Sequence, residues 1–175
     1  MELAENSYES NELNWQLYSK AGNQQMQAKL YQEAQQTYQL ANDIANRLLE
    51  EAKQTATHCD AIHPYVVSCH NLADCFLQMG NAQQAEVTLQ QGYNTVLSVM
   101  NEANFAQDLR SEAFQALKMI SLEMHRFYQE QGQVTSAENV MQDAVEQAKV
   151  FLAQLQNTQT QPDLTQIPKV LKVEK

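Results

Sequence analysis

Glycine, proline and cysteine are all scarce in this chain of 175 residues, at four, three and three copies. Two of the prolines, Pro162 and Pro168, lie close to the C-terminus, so between Met1 and Gln161 only Pro64 interrupts the chain. Proline removes a backbone donor and clashes with the preceding turn, so its near absence leaves long windows open to helix. Val and Ile are too scattered to suggest strands. Residues Met1 to Ser10 carry neither a basic segment nor an apolar run, which argues against a signal peptide. No window approaches the roughly 18 consecutive apolar residues of a membrane span. Three cysteines without an export signal are expected as reduced thiols in the cytoplasm, not as a disulfide framework.

Positive charge is also in short supply. Eleven Lys and Arg face 21 Asp and Glu, for a net charge of −10 and a pI near 4.7. Nucleic-acid affinity comes largely from cations neutralising phosphates, so a nucleic-acid partner is not expected. The same argument disfavours an anionic membrane surface. No GxSxG, Walker A, GxGxxG or HExxH motif occurs, and paired carboxylates such as Glu50-Glu51 read as a solvated helix face. The expectation is a protein that is not an enzyme and has no cofactor. All three cysteines and three of the four histidines do fall within 18 residues, His58 to Cys75. Zinc ligands usually come as CxxC or HxxxH pairs. Cys69 and Cys75 are six apart on one helix and point in different directions, while Cys69 and His70 point about 100° apart. Inert thiols and surface histidines are therefore expected, and no metal site.

What the chain does hold is helix formers. Ala, Leu, Gln, Glu and Met fill the proline-free windows. Glutamine, at 26 copies, is dispersed along them instead of forming a run, which fits a solvent face and not a prion-like tract. One apolar ladder occurs three times, at intervals of 51 and 52 residues. It reads Tyr31, Ala34, Tyr38, Ala41, Ala45, Leu48 and Ala52. It returns as Ala82, Ala85, Leu89, Gly92, Val96, Val99 and Ala103, and again as Val134, Ala137, Met141, Ala144, Ala148, Phe151 and Leu155. Steps of three and four place each ladder on one face of a helix, and a fixed long interval is the mark of a repeat architecture. Six helices follow: about 9–28, 30–57, 64–79, 82–102, 106–131 and 134–155. Asp60 is the expected N-cap of the third, and Pro64 sits in its first turn. Short turns pair the helices into antiparallel hairpins at about 9–57, 62–103 and 105–155, within one all-α domain of residues 1–156. Residues 157–175 read as a tail, disordered or docked in a groove.

At the hairpin turns the chain resembles tetratricopeptide (TPR) repeats. Tyr18, Ala21, Gly22, Tyr31, Ala34, Tyr38 and Ala41 follow that family's spacing. So do Cys69, Ala73, Phe76, Gly80, Ala85 and Leu89, and then Tyr128, Gly132, Ala137, Met141 and Ala144. The interval is longer than the family's usual 34 residues. Lys29 stands where a turn glycine is expected, and His125 where a small contact residue belongs. The resemblance implies a right-handed α-α superhelix whose first helices line a concave groove. Carried over, that lining is Gln16, Ser19, Asn23 and Met26, then Val67, His70, Asp74 and Leu77, then Met119, Leu122, Arg126 and Gln129. Asn23, Met26, His70, Asp74, Leu77, Leu122, Arg126 and Gln129 are the residues on which binding would rest. Amides, one Asp, one Arg and flexible apolar groups suit a peptide or a helix. The family's carboxylate clamp needs several cations, and here only Arg126 is present, with Asn23 as a partial match.

The expected function is a protein-interaction module that holds a partner peptide or helix. Alternatives are a bacterial secretion-type TPR chaperone and a sensor of a small molecule or signalling peptide. Apolar residues near both ends of the array, Leu13, Trp15 and Tyr18 at one and Phe151, Leu152 and Leu155 at the other, favour a homodimer.

Overall fold

A computed structural model describes residues 7–159. Among them the protein is all-α, with six helices and no strand. Helix α1 spans Tyr8–Gln27, α2 Tyr31–Thr55, α3 Ile62–Gln78, α4 Ala82–Asn101, α5 Gln107–Glu130 and α6 Val134–Gln159. Ser7 Oγ caps α1 by accepting from the Ser10 N–H at 3.2 Å, and Asn81 Oδ1 caps α4 through the Gln84 N–H at 3.2 Å. Small polar residues do this because their oxygens satisfy donors that the first turn leaves unpaired.

Two boundaries differ from expectation. α3 begins at Ile62, and the residue before it, Ala61, makes no side-chain cap, so Asp60 is not the N-cap. A 3-10 turn over Cys59–Ala61 leads into α3 instead. Pro64 is thus the third helical residue, where its missing N–H is not needed by the helix. α6 continues through Gln159, past the expected end at Leu155. The remainder of the tail, 160–175, lies outside the described residues.

Successive helices pack in pairs, α1 with α2, α3 with α4 and α5 with α6, and the pairs are joined by α2 on α3, α4 on α5 and α3 on α5. The three hairpin turns have the same form. Lys29, Gly80 and Gly132 all take positive φ, at 60°, 75° and 71°. In each, the residue's N–H and the next one's reach back to the last helical turn: Lys29 N–H to Met26 and Leu30 to Gln25, Gly80 to Leu77 and Asn81 to Phe76, Gly132 to Gln129 and Gln133 to Tyr128. This is the left-handed helix stop with paired reverse hydrogen bonds.

The ladders explain why the helices hold together. Ala34, Tyr38, Ala41, Ala45, Leu48 and Ala52 of the first are buried, as are Ala85, Leu89, Gly92, Val96 and Val99 of the second. The third is only partly covered: Ala137, Ala144 and Phe151 are buried, but Met141, Ala148 and Leu155 are half-exposed and Val134 is open. Small residues let the axes approach. At Gly22 a Cβ would lie 2.4 Å from the Tyr38 ring, and at Gly92 one would lie 3.2 Å from Ile120 Cδ1 of α5 and 3.3 Å from the Cys69 side chain of α3.

Candidate functional site

Four of the eight residues singled out in the sequence meet between α3 and α5. His70, Asp74, Leu77 and Arg126 line one crevice together with Glu123, Phe127 and Leu89. His70 Nδ1 is 3.0 Å from Glu123 Oε2, and its Nε2 is 3.4 Å from Asp74 Oδ2. Arg126 Nη2 closes the circuit, 2.8 Å from Glu123 and 3.2 Å from Asp74. Spacings of three and four along each helix bring these side chains to one edge. The residue that the sequence reading passed over is Glu123, which touches both the His70 ring and the Arg126 guanidinium. Its signal was available in its position three before Arg126. The crevice holds only about 10 Å³, room for roughly one water. Its ion pairs are exposed, with half of Arg126 in solvent, so each contributes on the order of 0–1 kcal/mol. The cluster stitches α3 to α5 and leaves no room there for a ligand.

The other four lie elsewhere. Asn23 Oδ1 accepts a 2.6 Å bond from the Tyr38 hydroxyl, within the first hairpin. Met26 is half-buried against the core, and Gln129 is exposed near the end of α5. Ser19, placed in the lining by the resemblance, is buried. Leu122 is 44% exposed and faces away from the crevice into a second depression.

That second depression is far larger than the crevice. It is an open trough of about 540 Å³ between α5 and α6. Phe114, Leu117 and Leu122 line it from α5, and Met141, Ala144, Val145 and Ala148 from α6, with Gln115, Lys118 and Ser121 as the polar members. Arg110 fixes the far end of this hairpin: its guanidinium lies over the Phe151 ring at 5.4 Å while its Nε donates to the Met100 carbonyl at 2.9 Å. Phe114 stacks on Phe151, with centroids 5.2 Å apart. The trough can therefore take apolar side chains against a firm floor, with Lys118 as its cation.

The cysteine and histidine group is split among separate partners. His58 stacks on Tyr8 with centroids 3.7 Å apart, His63 Nε2 is 2.8 Å from Glu112 of α5, and His70 belongs to the crevice. Cys69 Sγ faces Asn42 at 3.8 Å, and Cys75 Sγ points to the Tyr31 carbonyl at 3.3 Å. Burial pushes the Cys69 thiol up to about 12 and raises Cys75 and Cys59 as well, which disfavours the reactive thiolate. Among the described residues no three His, Cys, Asp or Glu side chains are placed to hold a metal ion. No described helix is long and apolar enough to cross a membrane.

Fold and trough together define an all-helical protein of three hairpins with an open apolar groove on its last pair. Residues 13–162 match the family model described as protein of unknown function (DUF2753), and the chain belongs to that family. No curated protein and no solved structure matches it.

Proposed function

We propose that this protein is a TPR-like interaction module that works by binding and not by catalysis, and that it receives an α-helical protein segment in the α5–α6 trough. The single observation that carries this is how the preceding hairpin is finished. The α3–α4 hairpin presents Leu89, Gly92 and Val96, and these are buried where α5 lies across them. One interval later stand Met141, Ala144 and Ala148, which line the trough. The groove is thus built as a bed for a helix. A helix with an apolar stripe fills it, and an acidic residue on the flank of that helix meets Lys118.

The thiols held protonated by burial support the non-catalytic part of this reading. Three turns of one form, at the ladder's own interval, support the TPR-like stacking.

Affinity capture from the native host tests the reading. Leu122→Asp and Val145→Asp, both at exposed positions, should remove the captured partner and leave helical circular dichroism unchanged. Asp74→Ala, in the α3–α5 crevice, should leave capture intact. Capture that survives both trough substitutions contradicts the proposal.

A further inference from the structure

We infer that the helix seated in the trough is α1 of a second copy of this chain, so that copies join head to tail. This rests on the reading of the trough as a helix bed. At the ladder's intervals, α1 stands to the first hairpin as α5 stands to the third. Leu13 and Leu17 fall two intervals before Ala116 and Ile120. Ala116 and Ile120 are fully buried, and Ile120 is the side chain that α5 sets against Gly92. Leu13 and Leu17 are 56% and 57% exposed. They form an i, i+4 stripe that no described residue covers. The opposite side of α1 is already engaged, with Trp15 Nε1 donating to Ser68 Oγ of α3 at 2.8 Å and Gly22 against the Tyr38 ring. One end of the molecule therefore carries an uncovered plug, and the other carries the socket that such a plug fills within the chain. In the joined pair Leu17 takes the place of Ile120, and Ala144 the place of Gly92.

Charge agrees with this pairing. Glu112 of α5 reaches back 2.8 Å to His63 of α3. Two intervals before Glu112 stands Glu9, an exposed acid in the first turn of α1. One interval after His63 stands Gln115, with Lys118 on the next turn of the trough wall. Glu9 of one copy thus meets Lys118 of the next. The contact is heterologous: it uses two different surfaces, so it propagates into chains or closes into rings instead of stopping at a two-fold pair.

Sedimentation velocity of the full chain over a wide concentration range tests this. The wild type should form species that grow with concentration. Leu17→Asp, which spoils the plug, and Leu122→Asp, which spoils the socket, should each run as monomers with unchanged helical circular dichroism. An equimolar mixture of the two retains one good plug and one good socket, and should give a two-chain species and nothing larger. Leu13→Asp and Val145→Asp repeat the design if either variant loses helicity. A wild type that stays monomeric, a Leu17→Asp variant that assembles like the wild type, or a mixture that stays monomeric overturns the inference. A monomeric wild type whose captured host partner is still lost on Leu122→Asp removes the second copy as occupant but keeps the helix bed. Capture indifferent to Leu122→Asp removes both.

Discussion

Lys29 occupies a left-handed turn position, at φ 60°, that Gly80 and Gly132 occupy in the other two hairpins. A side chain there costs about 1–2 kcal/mol of backbone strain, offset in part because glycine loses more freedom on folding. Gly22 is the opposite case, since a Cβ there would enter a Tyr38 ring that is pinned by its bond to Asn23. The two substitutions should therefore move stability in opposite directions. Lys29→Gly is expected to stabilise by about 0.5–1 kcal/mol, and Gly22→Ala to destabilise by about 1–3 kcal/mol, read as shifts in urea midpoint at constant m-value. Equal signs would contradict the turn and contact assignments. Lys29 was legible in the sequence because the turn residues keep the ladder's interval. Asp60 misled, because a capping residue type is a local signal and the chain enters α3 through a 3-10 turn fixed by the left-handed Ala56 and His58.

At the level of the helices, several contacts run through tyrosine hydroxyls. Tyr93 of α4 donates to Asp143 of α6 at 2.5 Å, Tyr128 of α5 donates to Glu86 of α4 at 2.9 Å, and Tyr65 of α3 pairs with Thr95 of α4 at 3.1 Å. Burial, and then the carboxylate partner, pushes Tyr128 up to about 12; burial pushes Tyr65 to about 12 and, with Asp143, raises Tyr93 further. Unfolded tyrosines lose their protons near pH 10, so between pH 10 and about 12 the folded state holds more protons than the unfolded one. Stability is whole below pH 10 and falls as pH rises through that window. Thermal melts across it should show a falling Tm, and site-resolved tyrosine NMR should show Tyr65, Tyr93 and Tyr128 losing their protons together with loss of helix; ionisation of these three near pH 10 with helix intact would contradict the bridging role. Helix existence was legible because a ladder of 3.6 period fixes which face is apolar. Coverage of that face was not. The same pattern marks Leu89 and Met141, yet among the described residues only the first has a helix laid over it. The crevice was half legible: helical spacing brings His70 next to Asp74 and Glu123 next to Arg126, but that the two pairs face each other depends on how two hairpins stack.

For the molecule as a whole, both ends of the array expose apolar side chains, and they are of different kinds. α1 presents a leucine ridge and α5–α6 a trough. The sequence reading took apolar ends as a sign of a homodimer; on the inference drawn above, a ridge and a trough on opposite ends fit a head-to-tail contact. The central claim is that the trough is a bed for α1 of a second copy, and hydrogen exchange measured at increasing protein concentration tests it most directly. Amides open locally with free energies that docking raises. The account predicts that protection grows with concentration in two places at once, around Leu13–Leu17 in α1 and along Phe114–Leu122 and Met141–Ala148 of the trough, while the α3–α5 crevice is unchanged. Protection that does not change with concentration, or that grows at the crevice and not at the trough, would contradict it.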